Sequence, residues 1–418
     1  MSTAKIQLQR SVGPIGASLF PINGMIGSGI FALPAVLVGA VGSFAPFMIL
    51  VGFFLILPLI FVFSWLATRF DQTGGPVLYG KTAFGNFFGF QAGIGLYASS
   101  MVALAANTHV MVSYLAVIFP FLTDKTTSTI TVVVWIILIT LINILGMRKS
   151  VNSLGFLTLL KITPLVLLVL TAVFGNYKSP DILLPQFTEA ETVILLTFYA
   201  FIGFEGVTVP AGEMTNPKRD LPRVLIFILA SVSLLYILII WSYSAILDEP
   251  TSQTNALAAA AEVALGEIGA LMIVLAASFS IMANGFTGLI VSPRMAYGMS
   301  EQGMLPKWFA KIHPTFLTPA NSIMFFGGFA AIFSLLGGFA ALAAASTLSR
   351  IFTYFICTAA LPILELREGK LTLLHSSTAL IAAGSLVWIA SQAKAETWIT
   401  MGMIILAGSF LFLAARSR

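Results

Sequence analysis

The chain has 418 residues, of which 58% are hydrophobic and only 9% charged, and its mean hydropathy is +0.99. An ordinary soluble domain has about 25% charged residues, so this composition excludes a soluble globular protein and indicates a membrane protein. A helix needs about 20 apolar residues to cross a bilayer, which gives the chain room for roughly a dozen spans and no separate soluble domain. The net charge is +5.

Hydrophobic runs divided by charged or Pro/Gly/Asn-rich loops predict an all-α membrane protein with about twelve transmembrane helices. The predicted spans are 12–38, 43–68, 84–119, 129–147, 152–174, 191–212, 222–246, 265–299, 320–336, 339–364, 372–390 and 397–415. The first span follows the polar N-terminus without a small-residue cleavage site, so we expect no removable signal peptide. The single cysteine, Cys357, lies in an apolar run and is interpreted as a small buried hydrophobe.

The basic residues predict the orientation, because Lys and Arg gather in cytoplasmic loops. Sixteen of the 21 fall on the side of the N-terminus: Lys5, Arg10, Arg69, Lys81, Arg148, Lys149, Lys218, Arg219, Arg223, Arg294, Lys307, Lys311, Arg367, Lys370, Arg416 and Arg418. The opposite side has Lys125, Lys178 and Lys394, together with the acidic residues Asp181, Glu189, Glu191, Asp248 and Glu249. We therefore expect a multi-pass protein of the inner (cytoplasmic) cell membrane with both termini cytoplasmic. The net positive charge follows from this topology and needs no nucleic acid.

Two glycine-rich segments interrupt apolar spans: residues 25–31 read Met-Ile-Gly-Ser-Gly-Ile-Phe, and residues 203–206 read Gly-Phe-Glu-Gly. Glycine lets the backbone leave the helix, and unwound backbone at membrane depth is tolerated only where it lines a cavity or is buried in protein. The breaks fall in the first and sixth spans, the offset that two inverted repeats of five helices produce. We predict one transporter domain with repeats over about 12–174 and 191–364, followed by two extra helices over about 372–415.

Three segments resemble the amino acid–polyamine–organocation superfamily of permeases and exchangers. They are the break at 27–31 with Pro34 after it, the run 198–205 followed by 213–222, and residues 284–287 followed by 293–296 and 300–306. The resemblance covers nearly the whole chain in the right order, although Ser300-Glu301 stands where an acidic pair is often seen. It implies the leucine-transporter type of fold, a 5+5 inverted repeat with broken helices 1 and 6, and transport of an amino acid or related amine by alternating access.

The breaks supply groups that match both charges of an α-amino acid. The backbone N–H groups of Gly27, Ser28 and Gly29 are predicted to bind the carboxylate, helped by the positive end of the helix dipole. Carbonyl groups are predicted to accept from the ammonium; they belong to Ile22, Asn23, Met25, Tyr199, Ala200 and Ile202. The alternative is that the glycines only permit close packing of helices, as small residues do in membranes.

The resemblance also implies roles for four side chains. Tyr199 and Phe286 align with aromatic positions that close over the substrate or shape its pocket, but in a chain with 35 Phe both could be ordinary packing residues. Glu205, the only acidic residue in the interior of a span, is implied to be a gate or proton-linked carboxylate; its rival role is a structural hydrogen bond. Lys161 matches a fifth-span lysine that, in some sodium-independent permeases, occupies the cation space of sodium-coupled relatives. Its alternative is a snorkelling lysine.

The remaining polar residues of the spans and loops suggest no further chemistry. Arg350, in the tenth span, is expected to pair with a carbonyl or with a carboxylate. The histidines, His109, His313 and His375, are scattered, so we expect no metal site, and the last two are interpreted as solvated loop residues. The chain has no Walker-type phosphate loop, and we expect no cofactor.

The leading hypothesis is therefore a secondary active transporter of a neutral amino acid, sodium-independent, with proton coupling or exchange, whose partners are the substrate, protons and membrane lipids. The third, eighth and tenth spans offer Met101, Leu104, Ser280, Asn284 and Phe286 as pocket walls and no Asp or Glu for a cationic side chain. A cationic amino acid or amine antiporter and an amino acid exporter stay open as alternatives. A channel or an intramembrane enzyme is disfavoured, because the chain has no selectivity ring and no catalytic constellation.

Overall fold

The structure, a computed structural model, describes residues 13–70, 74–145, 151–178, 181–247 and 255–416. Within these residues the chain forms fourteen α-helices and no β-strand. The helices are α1 Pro14–Met25, α2 Gly29–Val41, α3 Ala45–Arg69, α4 Gly75–Phe84, α5 Asn86–Ile118, α6 Lys125–Ile144, α7 Val151–Phe174, α8 Phe187–Tyr199, α9 Pro217–Ile246, α10 Ala256–Glu301, α11 Ala320–Ser334, α12 Phe339–Arg367, α13 Leu373–Ser391 and α14 Ala395–Arg416. Several residues of the orientation argument lie outside the described part of the chain: Lys5, Arg10, Arg148, Lys149, Asp248, Glu249 and Arg418.

Each of the twelve predicted spans coincides with observed helix, and the fold is that of an all-α membrane protein. In the described residues, nine helical stretches are long and apolar enough to cross a membrane, and two shorter apolar helices cover 158–174 and Ala320–Ser334. Large apolar side chains such as Phe54, Ile130 and Phe410 are mostly exposed on the outside of the bundle. That surface would be unfavourable in water but matches lipid. Helix α5 lies at the centre, in contact with α4, α6, α10, α11, α12 and α14.

One helix, α4, was not predicted from the sequence. It precedes the predicted third span and packs against α5 and α12. The chain turns between α4 and α5 at Gly85, whose φ is 91°. Because α4 is short and contains Pro76 and Lys81, it lacks the long apolar run by which spans are recognised. The eighth span also differs from the prediction, since α10 begins earlier and bends at Gly266, where φ is 72°.

Both predicted breaks are present. The first span is α1 and α2, with residues 26–28 non-helical between them, and the sixth is α8, a turn, and a 3-10 helix over Phe204–Glu213. The two spans touch backbone to backbone at Gly24 and Gly203. A Cβ atom on Gly24 would lie 2.8 Å from the Gly203 carbonyl oxygen, and one on Gly203 would lie 2.6 Å from the Gly24 carbonyl carbon. Gly203 also has a φ of 109°, so this crossing requires glycine at both positions.

Candidate functional site

A cavity of about 170 Å³ lies where the two broken spans meet α5, α10 and α12. Six of the residues predicted to bind substrate line it: Met25, Gly27, Ser28, Gly29, Tyr199 and Ile202. On α5 the lining runs from Asn107 back to Leu96, and on α10 it runs from Asn284 forward to Met295. Eleven residues of helix span about 16 Å. The cavity therefore extends from the breaks toward the end of the bundle where α5 begins and α10 ends.

The non-helical residues between α1 and α2 present unpaired backbone donors to this cavity. In the described part of the chain, the N–H groups of Gly27, Ser28 and Gly29 have no hydrogen-bond acceptor. They stand at the N-terminus of α2, where orphan N–H groups and the helix dipole favour an anion. A Cβ atom on Gly27 would meet Asn284 Nδ2 at 3.4 Å, an ordinary contact. Close helix packing therefore does not explain glycine at position 27.

The three first-span carbonyls predicted to accept from the substrate ammonium are not equally available to a ligand. The Ile22 carbonyl is not free, since α1 extends its hydrogen bonding by one residue and the Ile26 N–H donates to it at 2.9 Å. The Asn23 carbonyl accepts from Asn284 Nδ2 at 2.9 Å, and neither Ile22 nor Asn23 lines the cavity. The Met25 carbonyl accepts from the Tyr236 hydroxyl at 3.3 Å. A carbonyl oxygen has a second lone pair, so of these three Met25 is the one placed to accept from a ligand.

The predicted sixth-span carbonyls also differ in their availability to a ligand. The Tyr199 carbonyl accepts from the Ile202 N–H at 3.2 Å within the turn that follows α8. Ala200 is fully buried and does not line the cavity, whereas Tyr199 and Ile202 do. The expected ammonium site is therefore reduced to Met25, Tyr199 and Ile202.

Asn107 of α5 lies at the centre of the polar wall, although it was not among the site residues predicted from the sequence. Its Oδ1 accepts from the Ser28 hydroxyl and, at 2.8 Å, from the Tyr199 hydroxyl. Its Nδ2 donates to Asn284 Oδ1 at 3.0 Å. One amide thereby joins both broken spans to α5 and α10. The available signal was a polar side chain in the interior of an apolar span, which is a default functional candidate in a membrane.

Phe286 is a correction to the predicted site, because it is not among the residues that line the cavity. At about 100° per residue, Phe286 is roughly 200° around α10 from Asn284, while Thr287, Gly288 and Val291 share the cavity face. Of the other pocket walls expected from sequence, Leu104 and Asn284 line the cavity, whereas Met101 and Ser280 do not.

Glu205 and Arg350 form a buried ion pair in the cavity wall. Glu205 Oε1 accepts from Arg350 Nη1, and Oε2 accepts from the Tyr354 hydroxyl at 2.7 Å and the Gly203 N–H at 3.1 Å. Arg350 was expected to pair with a carbonyl or with a carboxylate, and its partner is the carboxylate of Glu205. Among the described residues that line the cavity, these are the one acid and the one base.

Lys161 lies beside the first break rather than in the cavity. It is 1% exposed, so it does not snorkel to the membrane surface. Its Nζ donates to Asn23 Oδ1 at 2.8 Å and to the Ile26 carbonyl at 2.9 Å, and the Ser280 hydroxyl of α10 donates to the same carbonyl at 3.2 Å. The ammonium thus occupies the space between α1, α7 and α10, which are the first, fifth and eighth spans.

The three histidines do not come together. His109 Nε2 lies 2.9 Å from the Ser334 carbonyl oxygen. His375 is not a solvated loop residue, since it lies in the first turn of α13, stacks on Trp65 and places Nδ1 2.7 Å from Glu365 Oε1. The described residues contain no group of three His, Cys, Asp or Glu that could hold a metal. Cys357 is buried and free, as expected.

A bundle of apolar helices, two of them broken around a central cavity, defines a membrane transport protein of the broken-helix class. A family model described as amino acid permease matches residues 12–415. The chain therefore belongs to the amino acid permease family, and the superfamily resemblance drawn from the sequence is confirmed.

Individual relatives are similar at low identity. The chain is 28% identical over 358 residues to the serine/threonine exchanger SteT of Bacillus subtilis, covering 78% of this chain and 76% of that protein. It is 28% identical over 238 residues to a cadaverine/lysine antiporter of Escherichia coli, covering 53% of this chain and 50% of the antiporter. An uncharacterized transporter of Mycobacterium bovis is 25% identical over 383 residues, covering 87% of this chain and 82% of that protein. These relatives indicate amino acid transport without specifying the substrate.

Proposed function

We propose that this permease is a secondary active transporter that moves a neutral amino acid across the cytoplasmic membrane by alternating access. The observation that carries the proposal is the set of unpaired N–H groups at Gly27, Ser28 and Gly29, which face a cavity lined by Met25 and Tyr199. The substrate carboxylate binds the N–H groups, and its ammonium binds carbonyl oxygens of the two breaks. Bringing these charges to mid-membrane is unfavourable unless protein dipoles replace water, and the breaks supply such dipoles.

A substrate with a neutral side chain fits the cavity best, because the one carboxylate of the described cavity lining, that of Glu205, is already paired with Arg350. Glu205 is bound by Arg350, Tyr354 and the Gly203 N–H, so it is not available to a cationic side chain. Apolar wall residues such as Leu104 and Val291 favour an apolar or small neutral side chain. The cationic amino acid or amine antiporter is the second candidate. It is supported by the name of one relative and by the face of Tyr199, which can hold a cation.

We assign ion coupling to Lys161, whose ammonium fills the space that a coupling cation would need. A buried amine with uncharged acceptors can exist as ammonium or amine, so the same residue can carry a proton. Transport is then sodium-independent and either proton-coupled or an exchange of substrates. Exchange is supported by the names of two relatives, an exchanger and an antiporter. Glu205 is assigned to the gate at the sixth-span break.

The orientation proposed is that both termini lie in the cytoplasm, on the basis of the Lys and Arg distribution. The cavity extends toward the end where α5 begins and α10 ends, which is the cytoplasmic end in this orientation. The described conformation is then inward-facing. Reporter fusions to the C-terminus that are active only in the cytoplasm test the orientation, and activity of a periplasmic reporter at that position contradicts it.

Purified protein in liposomes tests the proposed function. Counterflow of a labelled neutral amino acid identifies a carrier, covalent turnover of the ligand identifies an enzyme, and large single-channel currents identify a channel. A thermal-shift screen against the common amino acids and polyamines selects the ligand, since a ligand at 100 times its Kd stabilises by about 2.7 kcal/mol. Displacement of the bound ligand by arginine, lysine or polyamines more effectively than by alanine, leucine, methionine or phenylalanine contradicts the neutral assignment.

A further inference from the structure

Arg350 joins three elements at the cavity wall. Its Nη1 binds Glu205 at the start of the 3-10 helix, its Nε donates to Ser99 Oγ at 2.7 Å, and its Nη2 donates to Ser100 Oγ at 3.2 Å. The Arg350 side chain is 10% exposed and that of Glu205 is 6% exposed. Each charge therefore has the other as its counterion at the surface where a ligand would lie.

A buried ion pair has little net stabilising effect, but removing one partner leaves an uncompensated charge that is strongly unfavourable. Without the guanidinium of Arg350, the Glu205 carboxylate would face the cavity with the Tyr354 hydroxyl and the Gly203 N–H as its remaining partners. A ligand that carries an ammonium group could then replace the missing counterion. Without the carboxylate of Glu205, the guanidinium would attract an anionic ligand by the same physics.

We propose that Arg350 is a specificity-determining residue, which masks Glu205 so that the cavity accepts neutral amino acids and rejects cationic ones. The proposal rests on the assignment of this cavity as the amino acid site. It adds that selectivity against cations depends on one residue of α12 that is not among the groups proposed to bind the α-carboxylate and α-ammonium.

A structural brace is the competing role for the pair, since it ties α12 to the sixth span and to α5. The two roles predict different outcomes. Loss of a brace weakens binding of every ligand together and lowers stability. Loss of a mask changes the order of ligand preference, and an increase in affinity for a new ligand class is something that a damaged brace does not produce.

The test measures binding of three ligand classes to the full-length protein purified in detergent: alanine, leucine and methionine; lysine and cadaverine; aspartate and glutamate. Arg350→Gln should bind lysine or cadaverine about tenfold or more tightly than the wild type does, which corresponds to about 1.4 kcal/mol. Glu205→Gln should gain affinity for aspartate or glutamate. The double variant, which leaves neither charge unpaired, should keep the wild-type order of preference.

Arg69→Gln is the matched control. Arg69 also pairs with carboxylates, Glu365 at 2.9 Å and Glu368 at 2.6 Å, but at the end of α3 and away from the cavity. Its loss should leave ligand preference unchanged. If Arg350→Gln does not fold, Glu205→Gln and the double variant still distinguish a mask from a structural brace. Folded variants without any gain for a charged ligand overturn the proposal while leaving neutral transport intact, whereas a wild-type protein that binds no neutral amino acid overturns the proposed function itself.

Discussion

Gly27 differs from Gly24 and Gly203 because the space above it is occupied by side chains and cavity rather than by backbone. We expect Gly27→Leu to weaken substrate binding about tenfold or more, because the side chain would fill the volume that the carboxylate needs. Gly27→Ala is the matched control, since its Cβ would make an ordinary contact with Asn284 at 3.4 Å. Binding to purified protein is the measurement. Unchanged affinity in a folded leucine variant contradicts the first-span site.

Substitutions at Gly24 and Gly203 should lower the stability of the protein, whereas substitution at Gly27 should weaken substrate binding. The backbones of Gly24 and Gly203 are in direct contact, and a backbone atom cannot move aside as a side chain can. Gly24→Ala should lower the free energy of unfolding by about 1–3 kcal/mol, the usual effect of overpacking. Gly206→Ala should have a smaller effect, since nothing lies within 4 Å of its added Cβ. The measurement is the unfolding temperature of each variant in detergent. Equal temperatures for Gly24→Ala and Gly206→Ala would contradict the close backbone contact between Gly24 and Gly203.

At the scale of the element, the start of α6 depends on one carboxylate. Asp124 accepts from the Thr127 N–H at 2.8 Å and from the Thr127 hydroxyl at 2.9 Å. The backbone hydrogen bond from Thr127, with help from the hydroxyl, lowers the pKa of the Asp124 carboxyl. A lowered folded-state pKa means that this stabilisation is present above the unfolded-state pKa, about 3.9, and is lost as the pH falls through the folded-state value.

Asp124→Ala should therefore lower the unfolding temperature at pH 7, and the difference from the wild type should become smaller in acid. Asp124→Asn is the control, because asparagine is also a good N-cap. Unfolding of detergent-solubilised protein at pH 7 and pH 3 provides the comparison. An alanine variant as stable as the asparagine variant at pH 7 shows that the cap contributes nothing.

At the scale of the whole molecule, Lys161 of the fifth span donates to Asn23 and Ile26 of the first, and the Ile26 carbonyl also accepts from Ser280 of the eighth. The proposed role of its side chain, to take the place of a coupling cation, is tested by transport. Transport in liposomes should be independent of a Na⁺ gradient and should respond to pH. Lys161→Ala should impair transport or remove its pH response. Thr163→Ala is the control from the same helix, because Thr163 is exposed and bonds only to its own helix at the Leu159 carbonyl in the described structure. Uptake driven by a Na⁺ gradient in the wild type contradicts this assignment.

The amino-acid sequence by itself determined the class, the twelve spans and the two breaks. These features depend on local signals, namely the length of apolar runs and the glycines at 27, 29, 203 and 206, and hydrocarbon leaves the backbone few alternatives to a helix. Helix α4 was not predicted, because its contacts with the rest of the bundle, rather than its own hydrophobicity, hold it in place. The repeat boundaries and the cytoplasmic location of the termini stay predictions.

Only the tertiary structure decided which polar groups meet. The sequence contained Glu205 and Arg350, separated by 145 positions, but their pairing depends on how α12 packs against the sixth span. Asn107 became central for the same reason, since its partners come from both breaks and from α10. Phe286 is not among the residues that line the cavity, and the Ile22 carbonyl accepts from the Ile26 N–H. The sequence did not show either feature, because the direction of a side chain and the last hydrogen bond of a helix are set by packing and local geometry that no motif encodes.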